Sequence, residues 1–341
     1  MRTNPVRWRA SAPVRTADVG GWTDTWFAQS GVVCNIAIDH RAEIVLEHDP
    51  HARPNVRLDV AITDECYEFQ PGAAPGRHPI IEHAIVAAMP PGAVSVSIAD
   101  SIQPGSGLGT SATVMVALVA GLLAAAGAAL DPTDIAIRAH RYETFTGKQS
   151  GVQDHWAAAF GGINLLAVDY PTTTRTELAV PAATAAQLTQ RLHTVYLGSP
   201  HASSALHDGV IGRLEADRNP LLDELRVAAT NAAAALTAGN LEVYGRTLVA
   251  HHEVMRQLHP QLISGAADAL AELAACFGAR GWKVNGAGGE GGSMVVLGPA
   301  DAGQDALLRA AIGDRAGCRL IDAAVGAPGV WVCRELQEGD R

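Results

Sequence analysis

Residues 104–112 read PGSGLGTSA, and a long apolar run, Ala112 to Leu130, begins at their end. Gly105, Gly107 and Gly109 carry no Cβ, so the backbone can turn sharply there and come close to a ligand. Thr110 and Ser111 place two hydroxyls on the first turn of the helix that the apolar run predicts. A helix N-terminus offers unpaired N–H groups and the positive end of the macrodipole, so the segment has the chemistry of a phosphate site. Pro104, Ser106 and Leu108 complete the loop, and Ala112 starts the apolar face. The commonest named loops do not fit. No Lys precedes the Thr-Ser pair, as the P-loop pattern requires. Counted from Gly105 and Gly107, the third glycine of GxGxxG would fall at position 110, which is Thr. A glycine turn that merely caps a core helix would have the same composition.

A second cluster, in GWKVNGAGGEGGSMVVL, puts five glycines between Gly286 and Gly292. Gly286, Ala287, Gly288 and Gly289 open it. A flexible hairpin would read the same way, but two such clusters suit a nucleotide phosphate chain gripped from both sides. Phosphoryl transfer also needs Mg²⁺ on the phosphate oxygens and a carboxylate for the acceptor hydroxyl. Glu143 and Asp154 supply carboxylates, and Gly147 and Gly151 should separate them onto different elements, although most acidic side chains are simply solvated. A third stretch, APVRTADVGGWTDTWF (Ala12–Phe27), combines Arg15 and Asp24 with the turn Gly20-Gly21-Trp22-Thr23. Carboxylates accept hydrogen bonds from sugar hydroxyls and aromatic rings cover a sugar face. A strand-edge turn with an ion pair is the plainer reading of that stretch.

These segments need a scaffold. The chain has 341 residues, 48% hydrophobic and 18% charged, which predicts a well-cored globular protein of two domains. A net charge of −10 argues against general nucleic-acid or anionic-membrane binding. Cys34, Cys66, Cys276, Cys318 and Cys333 are scattered without a CxxC, as in a reducing compartment. The basic N-terminal stretch lacks the apolar core of a signal peptide, so a cytoplasmic protein is expected.

Strands are predicted at Gly31–Glu47, Val56–Ile62 and Val94–Ala99, where β-branched residues concentrate. A helix should open at Asp131 as N-cap, with Pro132 in the first turn, and end before Gly147. QDHWAAAFGGINLLAV reads as a short helix, a glycine break and a strand. Beyond Pro181 come a strand in RLHTVYLG and helices near Ser203–Ala216, Pro220–Ala238, Leu241–Leu258, Gln261–Gly278 and Ala302–Ile312. Strands return at Trp282–Val284, Ser293–Leu297, Cys318–Ile321 and Val330–Cys333. This order predicts an α+β chain of two lobes.

The three motifs, taken in this order, resemble the GHMP kinases, the superfamily of galactokinase, homoserine kinase and mevalonate kinase. PGSGLGTSA is similar to the family's phosphate loop, with Thr110 in place of the first Ser, and KVNGAGGEGG to its C-terminal glycine motif. The resemblance spans most of the chain. It implies an N-terminal ribosomal-S5-domain-2-like lobe (residues 1–180) and a C-terminal ferredoxin-like lobe (181–341), with ATP and the acceptor between them. It implies that Ser111 and Glu143 hold Mg²⁺, that Asp154 is the catalytic acid, that Arg15 lies beside the acceptor hydroxyl, and that Gly21, Trp22, Thr23 and Asp24 form the sugar motif. The galactokinase motif has Gly-Glu-His-Thr-Asp here, so its galactose-binding Glu is missing. Gly-Gly-Trp-Thr-Asp is similar to L-fucose kinases, and GKQSGVQDHWAAAFGGIN to heptose 7-phosphate kinases. The implied activity is phosphorylation of a sugar or sugar phosphate at the anomeric hydroxyl by a monomer or homodimer. A kinase of a small non-sugar alcohol, or a nucleotide-binding regulatory module without catalysis, remains open at this point.

Overall fold

The structure, a computed structural model, describes residues 5–99, 103–147, 149–200, 209–212 and 219–335. Two sheets organise it. The larger has eight strands: β1 (Val6–Val19), β2 (Ser30–Asp49), β3 (Asn55–Val60), β4 (Glu65–Phe69), β5 (Ala93–Ile98), β6 (Ile163–Asp169), β7 (Thr172–Glu177) and β12 (Trp331–Glu335). Its spine runs β12-β1-β2-β5-β3-β4, with β6 and β7 continuing from the far half of β2. All pairs are antiparallel except β3 with β5. The smaller sheet has the order β11-β8-β10-β9, formed by β8 (Leu192–Tyr196), β9 (Gly281–Val284), β10 (Ser293–Leu297) and β11 (Arg319–Ile321).

Helices α1 (Pro79–Ala88), α2 (Thr110–Ala125), α3 (Pro132–Glu143) and α4 (Gln153–Phe160) belong to the first half of the chain. Helices α5 (Ala182–Arg191), α6 (Pro220–Thr237), α7 (Leu241–Leu258), α8 (Gly265–Cys276) and α9 (Ala302–Gly313) belong to the second. Helix α2 is apolar on every side because it is enclosed on every side. Ile44, Leu46, Leu58 and Val96 of the large sheet pack with Met115, Leu118 and Leu122 in one core. A second core joins Val14 and Ile36 to Ala229, Leu236, Tyr244 and Leu248 of α6 and α7. Because helices from both halves of the chain cover it, β1 is buried on both faces from Ala10 onward. A third core places Val195, Met294 and Val296 against Leu270, Leu308 and Ile312. Among the described residues no helix is long and apolar enough to cross a membrane.

The local signals behave as their chemistry requires. The Asp131 side chain accepts from the Thr133 and Asp134 amides, and α3 ends at Glu143. Helix α2 stops at Ala125, short of Leu130, because Gly127 lies in the left-handed region at φ 69°. The helix expected from Gln261 begins at Gly265 instead: Pro260–Leu262 forms a separate 3₁₀ turn, and Ser264 caps α8 by accepting from the Ala267 amide at 3.2 Å. The strand expected to reach Ile62 ends at Val60, where another 3₁₀ turn begins. The helix expected at Ser203–Ala216 lies largely outside the described residues, which include a helical turn at 209–212. The C-terminal strand, grouped by its position with the second lobe, pairs with β1 of the large sheet, from Arg7↔Glu335 to Ser11↔Trp331. There it covers the edge that β1 would otherwise leave open.

Leu118 is fully buried between α2 and the sheet. Leu118→Ala should cost about 2–5 kcal/mol, measured by urea denaturation. A loss under 1 kcal/mol would be incompatible with α2 as the central core helix.

Candidate active site

The strand pairing at the end of β1 is irregular. Register shifts fall between Pro13 and Val14 and between Thr16 and Val19. Such irregularities re-aim side chains; Arg15 lies between the two shifts and Asp18 within the second. The Arg15 Nε donates to Asp154 Oδ1 at 2.8 Å, its Nη1 donates to the Gly107 carbonyl, and its Nη2 lies 3.9 Å from Asp18 Oδ2. Burial disfavours the charged guanidinium, but the carboxylates of Asp154 and Asp18 outweigh it and raise the Arg15 pKa.

The glycine loop fits against this pair. Gly107 and Gly109 have φ of 73° and 76°. A Cβ on Gly107 would lie 3.0 Å from the Asn285 carbonyl, and one on Gly109 would lie 2.9 Å from Asp154 Cγ. The two glycine clusters therefore meet beside the catalytic candidate. The N-cap of α2 is Gly109, with no side-chain cap among the described residues, and this helix end faces the cleft.

A cleft of about 560 Å³ runs along the loop. Of the expected phosphate-loop residues, Gly105, Ser106, Gly107, Gly109, Thr110, Ser111 and Ala112 line it. Pro104 is exposed outside this lining, and Leu108 is fully buried in the core of α6 and α7. Gly286 and Ala287 line the cleft. Gly288 and Gly289 instead pack on Leu262, whose carbonyl accepts from the Gly289 amide at 2.7 Å.

Of the expected sugar motif, Trp22 and Asp24 face the cleft, joined by Trp26 and Phe27. Trp22 holds a φ of 77°, a strained value for a bulky residue. Thr23 is buried elsewhere, donating to the Gly20 carbonyl at 2.7 Å and accepting from the Val32 amide at 3.1 Å. Gly21 lies beneath: a Cβ there would be 3.0 Å from Asp18 Oδ2 and 3.1 Å from Gln153 Nε2. Asp24 Oδ2 accepts from the Gln153 amide at 3.0 Å. Burial pushes the Asp24 pKa up to about 6; the Gln153 amide opposes the rise, and the charges of Asp154 and Asp18 add to it.

On the opposite side, Ser111 Oγ donates to Glu143 Oε1, Ser150 Oγ donates to Oε2 at 3.5 Å, and His155 Nε2 lies 2.8 Å from Oε2. A carboxylate and a hydroxyl beside a helix N-terminus form a hard-oxygen donor set. That set fits Mg²⁺, which binds through one or two carboxylates together with substrate phosphates. Behind it, burial and the neighbouring His155 push the His140 pKa down to about 4.

Sequence reasoning missed Asp18, Gln153, His155 and Lys283. One signal was available: Lys283 stands in an otherwise apolar strand directly before the glycine cluster, a placement uncommon for a solvated Lys.

The model of the GHMP kinases N terminal domain matches residues 80–162. A galactokinase of Mycobacterium tuberculosis is 30% identical over 275 residues, covering 70% of this chain and 75% of the relative. A bifunctional fucokinase/GDP-fucose pyrophosphorylase of Arabidopsis thaliana is 26% identical over 330 residues, covering 88% of this chain and 31% of that larger protein. In fold, the chain is similar to a D-glycero-D-manno-heptose 1-phosphate kinase from Bacteroides thetaiotaomicron, with TM-score 0.76 and 16% identity over 97% of this chain and 100% of the other. It is also similar in fold to a galactose-bound galactokinase of Lactococcus lactis, with TM-score 0.73 and 16% identity over 95% of each chain.

Asp24 yields a pH prediction. Its folded pKa, about 6, is above the ordinary 3.8, so between those values the native chain holds a proton that the unfolded chain has released. The stability it contributes is present below pH 4 and lost as pH rises through 6. Asp24→Asn should therefore be more stable than the parent at pH 8, by about 3 kcal/mol, with the difference vanishing near pH 4. Urea midpoints at the two pH values measure this, and an equal difference at both would refute it.

Proposed function

The chain belongs to the GHMP kinase family, within its sugar-kinase branch, and on that premise we propose an ATP- and Mg²⁺-dependent enzyme that phosphorylates the anomeric hydroxyl of its sugar. The acceptor is a 6-deoxyhexose of the L-fucose type or a heptose 7-phosphate. The observation that carries this reading is the pairing of buried Arg15 with half-buried Asp154, 2.8 Å apart and packed under Gly109 of the phosphate loop. Asp24 and three aromatic residues lie in the same cleft.

Arg15 holds the Asp154 carboxylate in place through its 2.8 Å hydrogen bond. The Asp154 carboxylate, a quarter exposed, is free to accept the acceptor hydroxyl's proton and to orient its oxygen for in-line attack. An anomeric hydroxyl is more acidic than an ordinary alcohol, so a carboxylate suffices. The amides of the glycine loop and the start of α2 stabilise the charge that develops on the phosphoryl group. Ser111 and Glu143 would hold Mg²⁺, which supplies charge neutralisation on the phosphate oxygens. Asp24 accepts from a sugar hydroxyl, with Trp22 beside it. The space around Gly21 favours this acceptor class over galactose: Asp18 and Gln153 crowd the position where the galactokinase motif carries Glu. We read the enzyme as cytoplasmic, monomeric or homodimeric, with small-molecule partners; its net charge of −10 disfavours general nucleic-acid or anionic-membrane binding.

ADP release measured against galactose, L-fucose, other 6-deoxyhexoses and heptose 7-phosphate tests the acceptor, with ³¹P NMR to locate the phosphate. Turnover restricted to galactose, or a product phosphorylated away from C1, would overturn the assignment. Asp154→Asn should lower kcat by roughly 10²–10⁴-fold while ATP affinity persists. A folded variant within threefold of the parent would exclude Asp154 from catalysis.

Glu143→Gln should raise the Mg²⁺ concentration needed for half-maximal rate and lower kcat by at least about tenfold. An unchanged Mg²⁺ titration would remove Glu143 from the metal site.

A further inference from the structure

Asp18 has no part in the chemistry above, yet four donor groups converge on its fully buried carboxylate. Lys283 Nζ donates to Oδ1 at 2.7 Å. The Gly286 amide reaches both oxygens, at 3.2 and 3.1 Å. Gln153 Nε2 donates to Oδ2 at 3.4 Å, and Arg15 Nη2 lies 3.9 Å from the same atom. Lys283 is itself fully buried. Three hydrogen-bond donors and a guanidinium surround this carboxylate, which is fully buried and so closed to a substrate. Its donors come from each part of the site. Arg15 holds the catalytic carboxylate, Gln153 adjoins Asp154 at the start of α4, and Lys283 and Gly286 belong to β9 and the second glycine cluster.

We propose that Asp18 is a positioning residue: it ties Arg15, the start of α4 and the second glycine cluster into one charge-balanced node and so sets the alignment of Asp154 with the phosphate loop. The proposal rests on the kinase reading for its catalytic consequence, but the node itself is a property of the chain. The competing account is an inert buried ion pair. Such pairs can be replaced by apolar residues of similar size without loss of stability, whereas removing one partner strands the other. Burial lowers the Lys283 pKa, with Asp18 opposing that fall, so an unpartnered Lys283 would be poorly tolerated. Arg15, Asp154, Asp24 and His251 are the other titratable groups facing the node.

The test therefore uses the double variant Asp18→Leu/Lys283→Met beside the single Asp18→Asn, so that failure of the single variant to fold leaves the question open to measurement. If Asp18 positions the site, the double variant folds with a Tm near the parent's. Its kcat falls about 10- to 100-fold, in line with the cost of misplacing reacting groups by about 1 Å, and KM for ATP and sugar moves less than threefold. Hydrogen exchange adds a readout that needs no substrate. The Gly289 and Gly292 amides donate to Leu262 and Ser199 at 2.7 and 2.9 Å, bonds in which Asp18 takes no part, and they should lose protection as the cluster loosens. A folded double variant with kcat within threefold of the parent overturns the proposal. Should the parent turn over no sugar, the kinase reading fails by itself. The exchange result then decides the node: retained protection at Gly289 and Gly292 overturns it, and lost protection supports it.

Discussion

The organisation of this protein depends on the mutual neutralisation of buried charges where its two sheets meet. Arg15, Asp18 and Lys283 are all withdrawn from water. A buried charge is tolerated only when it is paired and hydrogen-bonded, so these side chains cannot be arranged independently. Arg15 and Asp18 come from the irregular end of β1, Lys283 from β9 of the other sheet, and Asp154 from the first turn of α4. Satisfying all four charges brings three distant stretches of chain to one place. Of these groups, Arg15 and Asp154 reach the cleft, which they line together with the glycine loop.

The apolar character of α2 fixes the other wall. A helix enclosed on all sides has little freedom to shift in a close-packed interior, so its N-terminus is a fixed point. The loop that feeds it must then fit between Asn285 on one side and Asp154 on the other, with no Cβ at 107 or 109. The absence of side chains in the loop follows from this confinement as much as from any need to approach phosphate. The same confinement puts Ser111 against Glu143, since the last residue of α3 lies beside the first turn of α2.

The acidic groups are graded by their surroundings. Asp18 is surrounded by donors and held below the usual carboxylate range despite full burial. Asp154 has one strong cationic partner and partial solvent access. Asp24 is pushed up to about 6, first by burial and then by two neighbouring carboxylates, against the pull of backbone amides. Asp18 and Asp24, within one site, are therefore shifted in opposite directions. The proposed division of labour follows these surroundings: Asp18 to organise the site, Asp154 to meet the acceptor hydroxyl and Asp24 to read the sugar.

Much of the site was legible in the sequence because its signals are local. Glycines ahead of an apolar helix, an N-cap at Asp131 and a glycine break between Glu143 and Asp154 each act within a few residues, and short-range sterics and hydrogen bonding enforce them. The boundaries of α7 and β10 were legible for the same reason. The destination of a side chain was not. Thr23 and Gly288 lie within the same motifs as residues that line the cleft, yet face away from it, because backbone packing against Val32 and Leu262 sets their direction. Likewise, the pairing of Asp18 with Lys283 spans 265 positions, and β12 was assigned by position to one lobe but completes the sheet of the other. The residue types and their spacing in this chain determined a glycine loop ahead of an apolar helix, two carboxylates on separate elements and a turn that combines aromatic and acidic side chains. Only the tertiary structure decided which members of each motif meet and which buried charge balances which, because desolvation and sheet pairing act between segments that the sequence separates.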